Sequence, residues 1–133
     1  MKMTTFLTLP ATSEKAMKFY ETSFPKAQIK RITRYTENVP NASKEMIGKV
    51  LNGELEIQGQ TIYFMDMMPE QAPQLSWAIS IYTECATENE LDTIFANLAK
   101  EGTVMMGPEP IMNLRKVAWV TDKFNVTWQL VWA

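Results

Sequence analysis

Two amphipathic stretches, each with one β-rich run before it and three after, constrain this chain more than any other feature. In "EKAMKFYETSF", Ala16, Met17, Phe19, Tyr20 and Phe24 recur at helical spacing, and Pro25 stops the pattern. Ser13 stands ahead of the stripe as a predicted N-cap. In "TENELDTIFANLAKEG", Leu91, Ile94, Phe95 and Leu98 form a second stripe. Thr87 and Glu90 have the spacing of a capping box, and Gly102 is the predicted C-cap residue. The runs before the helices are "TTFLTL", stopped by Pro10, and "WAISIYT". After the first helix come "QIKRITRY" and then "GKVLNGELEIQGQTIYFMDM", which reads as two strands joined near Gln58–Gly59. After the second come "TVMMG", "KVAWVTD" and "VTWQLVW". The polar "TENVPNASKE" and the Pro-containing "MPEQAPQLS" have loop composition. The order β-α-β-β-β therefore occurs twice, in modules of about 1–70 and 76–133. That predicts an α+β protein whose sheets each carry a helix on one face. At 133 residues the simplest organisation is one domain, 1–133.

Alternation within the strands separates a bulky face from a lighter one. In the last strand Trp128, Leu130 and Trp132 point one way, and Thr127, Gln129 and Val131 the other. "WAISIYT" sets Trp77, Ile79 and Ile81 against Ala78, Ser80 and Tyr82; "TIYF" sets Ile62 and Phe64 against Tyr63 and Met65. The first strand opposes Phe6 and Thr8 to Thr5, Leu7 and Leu9. Bulky faces belong under the helices, so Trp128 and Trp132 are expected core residues. The lighter faces, with scattered hydroxyls and one amide, have the lining of a small-ligand concavity. Leu51, Leu55 and Ile57 share a face opposite Asn52, Glu54 and Glu56. Those two carboxylates read either as a solvated strand face or as a pair for acid–base work.

Several chemistries lose their usual residues. The chain has no histidine, which removes the commonest transition-metal ligand and general base together. No Asp/Glu run has calcium-loop spacing. The single cysteine, Cys85, excludes an internal disulfide framework, fits a reducing cytoplasm, and reads as a small filler at a strand end. Five scattered glycines form no phosphate-cradling turn. A net charge of −2 with interspersed signs argues against nucleic-acid and membrane-surface partners, and no apolar run approaches the roughly 20 residues of a membrane span. "MKMTTFLTLPATSEKA" reads as a first strand rather than a signal peptide. Ten methionines, including "MDMM" and "VMMG", serve either as core filling or as an adaptable ligand surface.

The stretches "EKAMKFYETSFPKAQI", "GELEIQGQTIYFMD" and "DKFNVTWQLVW", spread over nearly the whole chain, carry a resemblance. They resemble the glyoxalase/bleomycin-resistance/extradiol-dioxygenase (vicinal oxygen chelate) superfamily. More closely, they are similar to its PhnB-like branch, often labelled 3-demethylubiquinone 3-methyltransferase-like. The resemblance implies a cup-shaped mixed sheet with the helices outside, and a homodimer. Metal-dependent members of the superfamily place four ligands on the first, fourth, fifth and eighth strands. Those positions correspond here to Thr5, Met65 (or Asp66), Ala78 and Gln129, so a metal site and a metal cofactor are not expected.

Three functions follow as expectations. The first is a metal-independent binder of a small aromatic or amphiphilic compound, with Thr5, Leu7, Tyr63, Met65, Ser80, Tyr82, Trp119 and Gln129 lining the cup. The second is a metal-free enzyme with Asp66, Glu54 or Tyr82 as acid or base. The third is a protein-interaction module whose cup is filled. Gln129 is read either as a ligand contact or as a structural hydrogen-bonding residue.

Overall fold

Both predicted stripes fold as helices, and each covers one face of a four-stranded sheet. The computed structural model describes residues 1–133, which divide into two units, Met1–Pro73 and Gln74–Ala133. In the first unit, strand β1 (Thr5–Pro10) leads into helix α1 (Ser13–Ser23), followed by β2 (Ala27–Arg34), β3 (Val50–Ile57) and β4 (Gln60–Met67). In the second, β5 (Ile81–Glu84) leads into α2 (Glu88–Ala99), then β6 (Thr103–Ile111), β7 (Leu114–Thr121) and β8 (Thr127–Trp132). The sheet orders are β1-β4-β3-β2 and β5-β8-β7-β6. In each unit the first and last strands pair in parallel and the remaining neighbours antiparallel. The chain is therefore α+β, with two mixed four-stranded sheets that repeat one β-α-β-β-β order.

In the first unit Ala16, Met17 and Tyr20 of α1 are wholly buried against Leu9, Leu55 and Phe64 of the sheet. Gly53 lets the helix come that close, since a Cβ there would stand 2.5 Å from the Met17 sulfur. The β3–β4 hairpin turns on Gln58 and Gly59, as predicted. Both have positive φ, 48° and 83°, which matches the twist of the flanking strands. The expected N-cap is corrected. Ser13 is the first helical residue, and its backbone N–H donates to Asp66 Oδ1 at 2.8 Å. The helix is thus capped from the far end of β4, a partner no local spacing could reveal. The Ser13 hydroxyl itself is buried without a partner.

In the second unit Leu91, Ile94 and Leu98 lie under Trp128, Leu130, Ala118 and Val120. Half of the capping box forms: Thr87 Oγ1 accepts the Glu90 N–H at 3.1 Å, while Glu90 Oε1 accepts the N–H of Ala86, one residue before the cap, at 3.1 Å. Lys116 Nζ reaches Glu88 (2.7 Å) and Asp92 (2.9 Å) on α2, and these carboxylates, Glu88 first, push its pKa up. The C-cap is Lys100, two residues before the predicted Gly102. Glu101, at φ 58°, takes the left-handed conformation. Gly102 instead allows close approach, because a Cβ there would stand 2.5 Å from the Thr121 carbonyl oxygen.

The strand expected at "WAISIYT" is half its predicted length. The β5–β8 ladder opens with Ile81 opposite Trp128, one residue after β8 begins at Thr127, so at most Ser80 could extend it. Trp77 to Ile79 form a turn, leaving Trp77 60% and Ile79 82% exposed. Strand β6, by contrast, runs beyond "TVMMG" to Ile111 through irregular pairing with β7.

Candidate functional site

Register decides which side chains stand side by side, because directly paired residues on adjacent strands point to the same face. In the second unit Tyr82 pairs with Gln129, and Gln129 with Trp119. These three form a row across β5, β8 and β7 on the face away from α2, and Met106 of β6 extends it beside Trp119. Tyr82 is 56% exposed, whereas Gln129 and Trp119 are half-buried. The Gln129 side-chain amide donates to Ser80 Oγ at 2.8 Å, which joins two of the predicted lining residues. Its side-chain carbonyl has no protein donor. Trp119 carries the Trp77 ring edge-on at 5.9 Å, and its indole N–H is buried with no acceptor. Ser80, Tyr82, Trp119 and Gln129 are thus neighbours.

The first unit has a comparable row. Phe6 pairs with Tyr63, Tyr63 with Glu54, and Glu54 with Arg31, crossing all four strands on the face away from α1. Phe6 and Tyr63 meet edge-on at 6.3 Å. Two residues further along, Thr8 pairs with Met65. Tyr63 and Met65 therefore lie on the face expected of them. Thr5 and Leu7 do not share it. They pair with Ile62 and Phe64 on the helix-facing side, and Phe6 and Thr8 take the places given to them. The first strand has threonines and apolar residues on both faces, so composition could not decide its facing; the parallel register does.

Asp66 and Glu54, two of the three acid–base candidates, are already engaged. Asp66 is 2% exposed and holds two backbone donors, Ser13 N–H on Oδ1 and Val50 N–H on Oδ2 (2.9 Å). Its backbone carbonyl accepts the Tyr35 hydroxyl at 3.0 Å, and burial, with the charge of Asp66, pushes the Tyr35 pKa up. Glu54 faces Arg31 at 3.5 Å, and the same guanidinium donates to Asn52 at 2.7 Å. Cys85 is buried beneath the second sheet, and burial, reinforced by Glu90, pushes its thiol up to about 11. That suppresses the thiolate a nucleophile needs.

No three Cys, Asp or Glu side chains gather where they could hold a metal ion. Of the positions implied for superfamily metal ligands, Ala78 lies in the turn before β5, Asp66 is tied to α1, and Gln129 is bonded to Ser80. At these positions the side chains offer no set of donors for a divalent cation.

The closing "DKFNVTWQLVW" is organised by a residue that sequence reading passed over. Asp122 is 2% exposed and accepts the N–H groups of Phe124 (2.8 Å) and Val126 (3.2 Å) on Oδ1. Its Oδ2 accepts the Trp128 indole N–H at 2.9 Å. The turn before β8 and the largest core side chain of the unit are thus fixed by one carboxylate. An Asp opening a turn three residues before an Asn was the available signal.

The sequence profile of the 3-demethylubiquinone-9 3-methyltransferase family matches residues 1–131. A Bacillus cereus protein described as PhnB and as a 3-demethylubiquinone-9 3-methyltransferase is 34% identical. Its structure superposes at a TM-score of 0.86, with all of both chains covered. The Pseudomonas aeruginosa protein PA1353 shares the fold at 17% identity, with a TM-score of 0.87 over 99% of this chain and 97% of that one. The fosfomycin resistance protein FosX of Listeria monocytogenes shares it at 13% identity and a TM-score of 0.67, over 98% and 91%. No curated protein matches the chain. This chain belongs to the 3-demethylubiquinone-9 3-methyltransferase-like, or PhnB, family of the glyoxalase/bleomycin-resistance superfamily.

Proposed function

We propose that this protein binds a small organic molecule without the help of a metal ion, on the sheet faces that the helices leave uncovered. The observation that carries the reading is the row Tyr82–Gln129–Trp119. It sets two aromatic surfaces on either side of an amide, next to a buried indole N–H that has no acceptor. Aromatic rings supply stacking area at low entropic cost, and a few fixed polar groups set orientation. Because the Trp119 N–H is buried, a carbonyl or ether oxygen of an aromatic compound reaches it only when a neighbouring side chain moves aside. Tyr63, Met65, Phe6 and Thr8 offer a similar mixture in the first unit.

Thr5 and Leu7 drop out of this proposal, since they lie on the helix-facing side. An acid–base role for Asp66 is disfavoured because both its oxygens already cap backbone groups. Cytoplasmic residence belongs to the same reading and is supported by a lone buried thiol. So does a homodimer, supported by the exposed Phe6 and Tyr82 on β1 and β5, each at a sheet edge.

The test is a fluorescence titration with aromatic, quinone-like and antibiotic compounds. The expected result is a saturable change in tryptophan emission that Gln129→Ala weakens by about tenfold, the loss of one good hydrogen bond. If no compound gives a saturable change, or if Gln129→Ala and Tyr82→Ala both leave the affinity intact, the reading fails.

A further inference from the structure

The first unit holds a cavity of about 510 Å³ between the 35–46 segment and the end of β4. Its interior is unusually rich in thioethers, for Met46, Met65, Met67 and Met68 all line it together with Leu51 and Tyr35. Met65 and Met67 are alternate residues of β4 and point to the same face. Met46 closes the bottom at 4% exposure, while the other three are only half-buried. Methionine fills space softly and reshapes to its guest, so a half-buried methionine wall suits a bulky apolar body of variable outline.

The rim gives the cavity a sign. Its two charged lining residues are Glu45, on the loop side, and Glu70, just beyond β4. Both are exposed, and neither takes part in an ion pair. No lysine or arginine lines the cavity; Lys44, next to Glu45 in sequence, is outside it. A cation entering the mouth would meet two uncompensated carboxylates, and below them the Tyr35 ring and polarisable sulfurs. The ring is held in place by its hydroxyl bond to the Asp66 carbonyl. An anion would meet the same two charges as a barrier. The volume falls within the range that encloses a drug-sized molecule.

We infer that this cavity is a binding site for lipophilic cations, compounds with a bulky apolar body and one amine, quaternary ammonium or phosphonium charge. The inference rests on the small-molecule reading but uses residues other than the Tyr82–Gln129–Trp119 row. It therefore adds a ligand class and a second site.

The probe is a matched pair of ions of almost the same shape, tetraphenylphosphonium and tetraphenylborate, titrated against the intact protein by thermal unfolding. The cation is expected to raise the midpoint in a saturable way and the borate to leave it unchanged. A Glu45→Gln/Glu70→Gln double variant is expected to unfold at the unliganded midpoint of the parent, since both side chains are exposed. It is expected to bind the cation about tenfold or more weakly, as the loss of charge-assisted contacts requires. Added salt is expected to weaken cation binding in the parent but not in the double variant. Equal shifts from both ions, a cation shift that survives the double variant, or no cation shift at all would each overturn the assignment. A neutral aromatic compound whose binding depends on Gln129 would, in those cases, leave the proposed function standing.

Discussion

Asp122 shows how much one buried carboxylate can organise. It gathers two backbone N–H groups and the Trp128 indole, so its removal strands three donors in the core of the second unit. A buried donor left without its acceptor costs about 1–3 kcal/mol, and some of these will find water. Asp122→Ala should therefore lower stability by about 2–4 kcal/mol in chemical denaturation, near the upper end of single-residue effects. Asp66 does the corresponding work at α1. Glu14 gives a pH signature of its own. Its hydrogen bond with Arg34, at 2.8 Å, and the guanidinium charge hold its carboxyl down to about 2. A lowered folded-state pKa means that the pair's contribution is complete above the ordinary carboxylate value of 4.5 and disappears as pH falls through about 2. Glu14→Gln should flatten the stability-against-pH slope within that window and leave it unchanged at neutral pH. An unaltered acid slope would show that the pair contributes nothing. Because both side chains are partly exposed, the effect should be modest and should shrink with salt.

At the scale of elements, α2 carries its own instructions in sequence. Thr87 caps Glu90 as spaced, with the Glu90 carboxylate turned to Ala86, and Leu91, Ile94 and Leu98 bury as the stripe predicts. Thr87→Ala should cost about 1 kcal/mol, the usual price of an N-cap, measured as a shift in denaturation midpoint. The Gln58–Gly59 hairpin was equally legible, because its positive-φ turn is local chemistry. What escaped sequence reading depends on distant partners. The N-terminus of α1 is capped by Asp66, 53 residues away. Strand β5 starts only at Ile81, because β8 begins at Thr127 and leaves nothing for Trp77 to Ile79 to pair with. The facing of β1 was misjudged by one residue for the same reason. Its alternation is ambiguous, and only the parallel register with β4 settles that Phe6, not Thr5, stands beside Tyr63. A one-residue slip of that kind moves every side chain to the other face.

At the scale of the whole chain, two units repeat one topology with little sequence in common, so pattern carried the architecture where identity could not. The candidate site was legible in half. Ser80, Tyr82, Trp119 and Gln129 stand together in the second unit, and Tyr63 and Met65 in the first. The methionine cavity was visible only as a composition, because the 35–46 segment that closes it has no periodicity to read. The family's methyltransferase description sits on mixed four-stranded sheets, without the parallel sheet and Gly-rich turn of a nucleotide-type cofactor site. Metal-free binding of a small molecule is the central claim, and thermal unfolding against a panel of aromatic, quinone-like and cationic compounds, each with and without divalent metals and a chelator, tests it most directly. A ligand that binds only the folded chain should stabilise it by about 2.7 kcal/mol at a hundredfold excess over its Kd. The expected result is such a shift with an organic compound, unchanged by chelator. A shift that needs zinc, nickel or manganese and vanishes with chelator would contradict it.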